Sequence, residues 1–231
     1  MKPYRSHPIR ECGEPLVSLE GWGFFLTTPH PYQAFGAPYG SDNPWMARKS
    51  VVEALTQARL ALERLNPRWT FRIFDAYRPN AIQSFMVVHE FLTLSGGRSP
   101  AAVPPDEAQA LWEKTYRIWA EPSEDPCSPP PHATGAAIDL TLCTLDGVDV
   151  AMGSPIDENS DRSLPNHFQD KDPELHSHRL ILLEVMQSAG FERHPEEWWH
   201  FSLGDQMWAY TRGQREPSMT QAARYGRADL L

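Results

Sequence analysis

Proline partitions this chain before anything else does. The 231 residues include 22 prolines. Each removes a backbone donor and pushes its predecessor out of the helical region. They concentrate in two stretches. Residues 1–45 carry many Pro, Gly and Tyr residues and read as an extended wrapping arm with short strands. Residues 121–131, Glu-Pro-Ser-Glu-Asp-Pro-Cys-Ser-Pro-Pro-Pro, cannot be helix. This stiff loop ends directly at His132 and is placed to fix where that imidazole points.

Regular structure is therefore expected between and after these stretches. Val51, Leu55, Ala58, Leu62 and Leu65 follow helical spacing, so a helix is predicted over 51–65, ended by Asn66-Pro67. A second, over 80–94, places Ile82, Phe85, Met86 and His89 on one side and stops at Gly96-Gly97. A third, over 106–120, begins with Asp106 as cap and Gln109 three residues later, a capping-box arrangement. A fourth, over 172–189, has Asp172 as cap, Pro173 in the first turn and Gly190 after its end. Strands are predicted over 70–74, with Phe71 and Ile73 on one face, and over 135–142. The latter puts Ala137 and Asp139 on one face, Ile138 and Leu140 on the other. Residues 191–193 and 198–203 form a hairpin around His194-Pro195. The expectation is one α+β domain over 1–231, with a central antiparallel sheet flanked by about four helices. No internal repeat is visible, and the polar tail over 211–231 is expected to be loosely held.

Hydrophobic residues make up 41% and charged residues 22%, which is the balance of a globular chain. No run approaches the 18 apolar residues of a membrane span. Residues 1–13 lack an apolar leader segment, so a cytoplasmic address is the expectation. A net charge of −9 makes a nucleic-acid partner a poor fit. Cys12, Cys127 and Cys143 are scattered without a CxxC and read as reduced thiols. Cys143, four residues past Asp139, packs near any site there. The sequence leaves oligomeric state open.

Two motifs carry the chemistry. His132-Ala133-Thr134-Gly135-Ala136-Ala137-Ile138-Asp139 offers an imidazole and a carboxylate, with small residues between them. Glu197-Trp198-Trp199-His200 offers a second imidazole and a second carboxylate. His132, Asp139 and His200 suit a catalytic zinc whose fourth position stays open for water. Glu197, favoured over Glu196 by its spacing to His200, is placed to take that water's proton. Residues three apart on a regular strand point to opposite faces. The chain must bend or bulge near Trp198 for Glu197 and His200 to serve one water.

His132-x-x-Gly135-x-Ala137-x-Asp139 with Glu197-x-x-His200 resembles the zinc D-alanyl-D-alanine dipeptidases of the VanX type. These are relatives of the zinc D,D-carboxypeptidases and share a metal-binding fold with the hedgehog signalling domain. Phe74-Asp75-Ala76-Tyr77-Arg78-Pro79 resembles the family's arginine segment, and Met152-Gly153-Ser154-Pro155-Ile156-Asp157 its substrate-ammonium loop. The resemblance implies one Zn2+ per chain held by His132, Asp139 and His200, with Glu197 as base and Arg78 on the oxyanion. It implies Asp157 on the substrate amine, a role for which Glu158 and Asp161 compete, and a small dipeptide as substrate. Tyr77, beside Arg78, and Trp199, beside His200, are expected at the substrate. Trp198 and Trp199 also read as core or pocket wall. Asp75 either orients Arg78 or closes a turn. His194 is a candidate outer partner of the metal ligands, and His7 and His30 carry no assignment. The family's serine two residues before the first ligand is Pro130 here, so its substrate contact is lost or supplied elsewhere. Action on peptidoglycan stem peptides as a D,D- or L,D-carboxypeptidase, and a non-catalytic zinc-stabilised binding module, are the competing readings.

Overall fold

The structure, a computed structural model, describes residues 2–219 and 221–230; Met1, Thr220 and Leu231, the ends of the predicted arm and tail among them, lie outside the described residues. In chain order the elements are β1 (Leu16–Ser18), β2 (Phe25–Leu26), α1 (Pro31–Ala34), β3 (Met46–Arg48), α2 (Lys49–Leu65), β4 (Trp69–Asp75) and α3 (Asn80–Leu94). Then come α4 (Pro105–Ile118), β5 (Ala137–Thr144), α5 (Pro173–Ser188), β6 (Glu192–Arg193), β7 (His200–Ser202) and α6 (Gln206–Arg215).

Five strands form one sheet in the order β2-β4-β5-β7-β6, and β1 and β3 pair separately. Side chains alternate across β5, the longest strand. Ile138, Leu140 and Leu142 face a core shared with Phe71 and Ile73 of β4 and Phe201 of β7. Val51, Leu55, Ala58 and Leu62 of α2 and Leu182, Val185 and Met186 of α5 cover that face. The apolar spacing that predicts these helices is thus the spacing that buries them. Leu or Ile burial of this kind contributes roughly 1.5–3 kcal/mol per side chain. A smaller cluster around Tyr32, Ile82, Met86, Val87 and Trp119 holds α1 and α3 together. The opposite face of the sheet carries the polar residues described below.

Several expectations need correction. The sheet is mixed: β2 runs parallel to β4 at one edge. Six α-helices occur among the described residues; α1 and α6 join the four expected. Asp106 is not a cap. Helix α4 starts at Pro105, whose fixed φ suits the first helical position, so Asp106 falls inside the first turn and Pro104 precedes the helix without a side-chain cap. Gly135 lies outside the strand: it has φ of 71° and ends a 3-10 turn over Pro131–Thr134. A Cβ there would sit 2.3 Å from Leu16 Cδ2, so only glycine permits this turn and its contact with β1. The described residues of the tail include ordered contacts. Arg212 and Arg215 belong to α6, and beyond it Ala223 bridges Ile9 while Tyr225 is fully buried.

Three expectations match closely. Helix α3 has the predicted bounds. Asp172 caps α5 by accepting from Glu174 and Leu175 amides. β6 and β7 pair antiparallel around His194-Pro195. Among the described residues no helix is long and apolar enough to cross a membrane.

Candidate active site

Strand pairing brings the site residues into line. Asp139 of β5 lies opposite His200 of β7 on one side and Asp75 of β4 on the other. Directly paired residues share a face, so all three side chains leave the sheet together. Asp75 achieves this only through an irregularity. Ile73 pairs with Leu140 and faces the core, and a register shift between Ile73 and Asp75 turns Asp75 to the polar side. His132 enters from the 3-10 turn that follows the proline loop. The chain bends at Trp198 and Trp199 before β7 begins, so the bend demanded by the Glu197–His200 spacing is present.

The hydrogen bonds fix which ring nitrogens face the centre. His132 Nδ1 donates to the Ala76 carbonyl at 2.7 Å, leaving Nε2 with a lone pair. His200 Nε2 lies 3.3 Å from Ser202 Oγ. That hydroxyl donates to Asp205 Oδ2 at 2.7 Å, so it accepts from His200. His200 Nδ1 is then the lone-pair nitrogen. The two lone pairs face each other at 3.2 Å. Asp139 Oδ2 lies 3.2 Å from His132 Nε2, and Oδ1 lies 3.0 Å from His200 Nδ1. Oδ1 is buried with no hydrogen-bond donor. With both imidazoles neutral, three acceptors converge on one point, an arrangement that a cation satisfies. Tetrahedral zinc, with ligands at about 2.0–2.1 Å, spaces them by roughly 3.3–3.4 Å. These residues fit the ion their types predict, and they form a possible metal-binding cluster among the described residues.

Glu197 stands beside this cluster, its Oε2 3.8 Å from His200 Nδ1. Burial pushes its carboxyl above the ordinary glutamate value, by more than Lys2 and His200 lower it. Arg78 is buried and held from several sides. Its Nε donates to Asp75 Oδ2 at 2.9 Å, its Nη1 to Gln83 Oε1 at 2.9 Å and its Nη2 to Tyr32 Oη at 2.9 Å. The guanidinium also lies over the Tyr32 and Trp119 rings. Burial opposes its charge, but Asp75 and Asp139 more than offset that. Asp75 therefore orients Arg78, and His30, 3.1 Å away, buttresses Asp75 in turn.

Asp157 reaches the same cleft from a loop gathered by Arg179 of α5, which donates to the Met152, Arg162 and Leu164 carbonyls. Its φ of 65° is unusual for a residue with a Cβ. Tyr32 Oη donates to Asp157 Oδ2 at 2.9 Å and so links it to Arg78. Burial foremost, then the neighbouring Asp139 charge, pushes the Asp157 carboxyl well above the usual carboxylate range.

His132, Asp139, His200, Glu197, Arg78 and Asp157 all line one narrow cleft of about 30 Å³, together with Lys2, Tyr4, Trp119 and His194. That volume holds one or two waters, so the cleft is narrow. A larger groove, about 1060 Å³, lies elsewhere, between the N-terminal arm and the 121–128 loop. Two expected substrate contacts lie outside the cleft. Tyr77 is surrounded instead by Asp42, Arg227 and Asp229. Trp199 is 1% exposed and packs in the main core against Trp198. Glu158 and Asp161 bond elsewhere, to Ser160 and Arg117. Pro130 opens the 3-10 turn and offers no hydroxyl. Cys143 is buried on β5. Sequence reading missed Tyr32, His30 and Lys2. They reach the site from the arm, and no local spacing marks them; the Pro31 that starts α1 between His30 and Tyr32 was the only cue to an ordered element there.

Comparison with known proteins bears on this site. The D-ala-D-ala dipeptidase family matches residues 26–217. A D-alanyl-D-alanine dipeptidase of Synechocystis is 43% identical over 99% of this chain and 98% of its own length. One from Enterococcus faecalis is 30% identical over 71% of this chain and 76% of its own. A solved LD-carboxypeptidase is similar at a TM-score of 0.43 and 16% identity, over 75% of this chain and 66% of its own.

Proposed function

Because this chain belongs to the D-alanyl-D-alanine dipeptidase family, we propose that it hydrolyses D-Ala-D-Ala or a similar small D,D-dipeptide with one zinc ion per chain. The observation that carries this reading is the convergence of His132 Nε2, Asp139 and His200 Nδ1, with Glu197 3.8 Å from the last. A zinc ion held by His132, Asp139 and His200 would supply Lewis acidity to a water and to the scissile carbonyl.

The protein's own groups do the rest. Glu197 accepts the proton of the attacking water and passes it to the leaving amine. Arg78, fixed by Asp75, Gln83 and Tyr32, donates to the developing oxyanion. Asp157, steered by Tyr32, pairs with the substrate's free ammonium. Tyr77 and Trp199, which do not reach the cleft, act on substrate only through the walls they support. The unpaired thiols Cys12, Cys127 and Cys143 suit a reducing compartment, and we place the enzyme in the cytoplasm, acting in cell-wall turnover.

Two expected results follow from this arrangement. Glu197 must be ionised to accept a proton, so activity is lost as pH falls through its folded-state pKa. An acid limb in kcat/KM is therefore expected that disappears from the residual activity of Glu197→Gln; a limb unchanged in that variant assigns it to another group. Arg78→Ala lowers kcat by about 10²–10³ with a smaller change in KM. An unchanged kcat removes Arg78 from the oxyanion role. The proposal as a whole is tested by assaying release of D-Ala from the free dipeptide and from a muramyl pentapeptide. Turnover of the dipeptide is expected, and turnover of the pentapeptide alone contradicts the dipeptidase reading.

A further inference from the structure

Lys2 and His194 form an unexplained pair at the cleft. Lys2 belongs to the arm, just before a 3-10 turn over Pro3–Ser6. Its Nζ lies 3.5 Å from His194 Nε2, 3.4 Å from the Arg117 carbonyl and 4.0 Å from Glu197 Oε1. Charge-assisted hydrogen bonds are usually about 2.7–2.9 Å, so none of these contacts engages the ammonium fully. His194 has a defined tautomer. Its Nδ1 accepts the Glu196 amide at 3.2 Å, so in the neutral ring Nε2 carries the hydrogen. The 3.5 Å contact is therefore between two donors, an ammonium and an imidazole N–H, with no acceptor between them.

We infer that Lys2 Nζ and His194 Nε2 form the subsite for the substrate's C-terminal carboxylate. This deepens the dipeptidase reading and rests on it. A carboxylate has two oxygens and accepts from both donors at once, which resolves their mutual repulsion. The pair adjoins Glu197, the side on which the leaving amino acid must receive its proton, whereas Asp157 takes the ammonium end. Anchoring both charged ends limits the substrate to two residues. Lys2 carries its charge on a flexible four-carbon stem, which lets the ammonium follow a bound carboxylate.

The test compares D-Ala-D-Ala with D-Ala-D-alaninamide, which lacks the carboxylate, in the wild type, Lys2→Met and Lys2→Arg, each at its own pH optimum. The wild type is expected to prefer the acid in kcat/KM by more than about tenfold, chiefly through KM. Lys2→Met loses that preference, and Lys2→Arg keeps most of it. If Lys2→Met shifts the acid limb of the pH profile but leaves the acid-to-amide ratio unchanged, Lys2 acts only on Glu197 and the subsite assignment fails alone. If the wild type cleaves neither compound, the dipeptidase reading fails and the subsite falls with it.

Discussion

Glu197→Gln is expected to keep its zinc and lose turnover by about 10²–10⁴-fold, the usual contribution of a positioned general base. The substitution preserves volume and hydrogen-bonding shape. It removes only the capacity to take up a proton. Glu197 is not among the three convergent acceptors; its nearer oxygen is 3.8 Å from His200 Nδ1, wider than the roughly 3.3–3.4 Å spacing of tetrahedral zinc ligands. Metal content and kcat are therefore expected to separate in this variant. Parallel zinc analysis and steady-state kinetics check it. Full activity with a full metal complement would assign the base elsewhere in the cleft.

His200→Ala has the opposite signature: metal and turnover are expected to disappear together. The histidine supplies one of two imidazole lone pairs, and its orientation depends on Ser202 and Asp205 behind it. Removing it leaves His132 and Asp139 as a two-donor remnant. Zinc per chain should fall to less than about a tenth of the wild-type value at matched chelator concentration, since even the loss of an outer partner weakens such sites by about 10–100-fold. His200→Gln, which keeps bulk in the strand, is expected to behave similarly. Stoichiometric zinc in a folded variant of either kind would remove His200 from the ligand set.

The elements legible in the sequence are those set by neighbours along the chain. Asp172-Pro173 announces the start of α5, and Gly96-Gly97 the end of α3, because capping and chain reversal are decided within a turn. Asp106 misleads for the same local reason, since Pro105 takes the first helical position and shifts the boundary. What escaped is non-local. The parallel pairing of β2 joins segments more than forty residues apart. The register shift after Ile73 is invisible in an alternating strand, yet it decides that Asp75 reaches Arg78 rather than the core. His132, Asp139, Glu197 and His200 could be singled out because metal chemistry restricts residue type and spacing together. Lys2, His30 and Tyr32 share the cleft with them but come from a proline-rich arm with no periodicity. Trp199 shows the converse error: adjacency to His200 in sequence does not bring it to the substrate, because the bend that turns Glu197 and His200 inward seats this ring in the core.

The central claim is that three convergent acceptors, two from one sheet face and one from the 3-10 turn beside it, hold a metal that the reaction requires. It is tested by measuring D-Ala-D-Ala hydrolysis on one preparation as isolated, after chelation and after zinc is restored, with metal content determined at each stage. One zinc per chain, activity lost on chelation and activity recovered in proportion to the zinc returned is the expected result. Undiminished hydrolysis by protein shown to be free of metal would contradict the account.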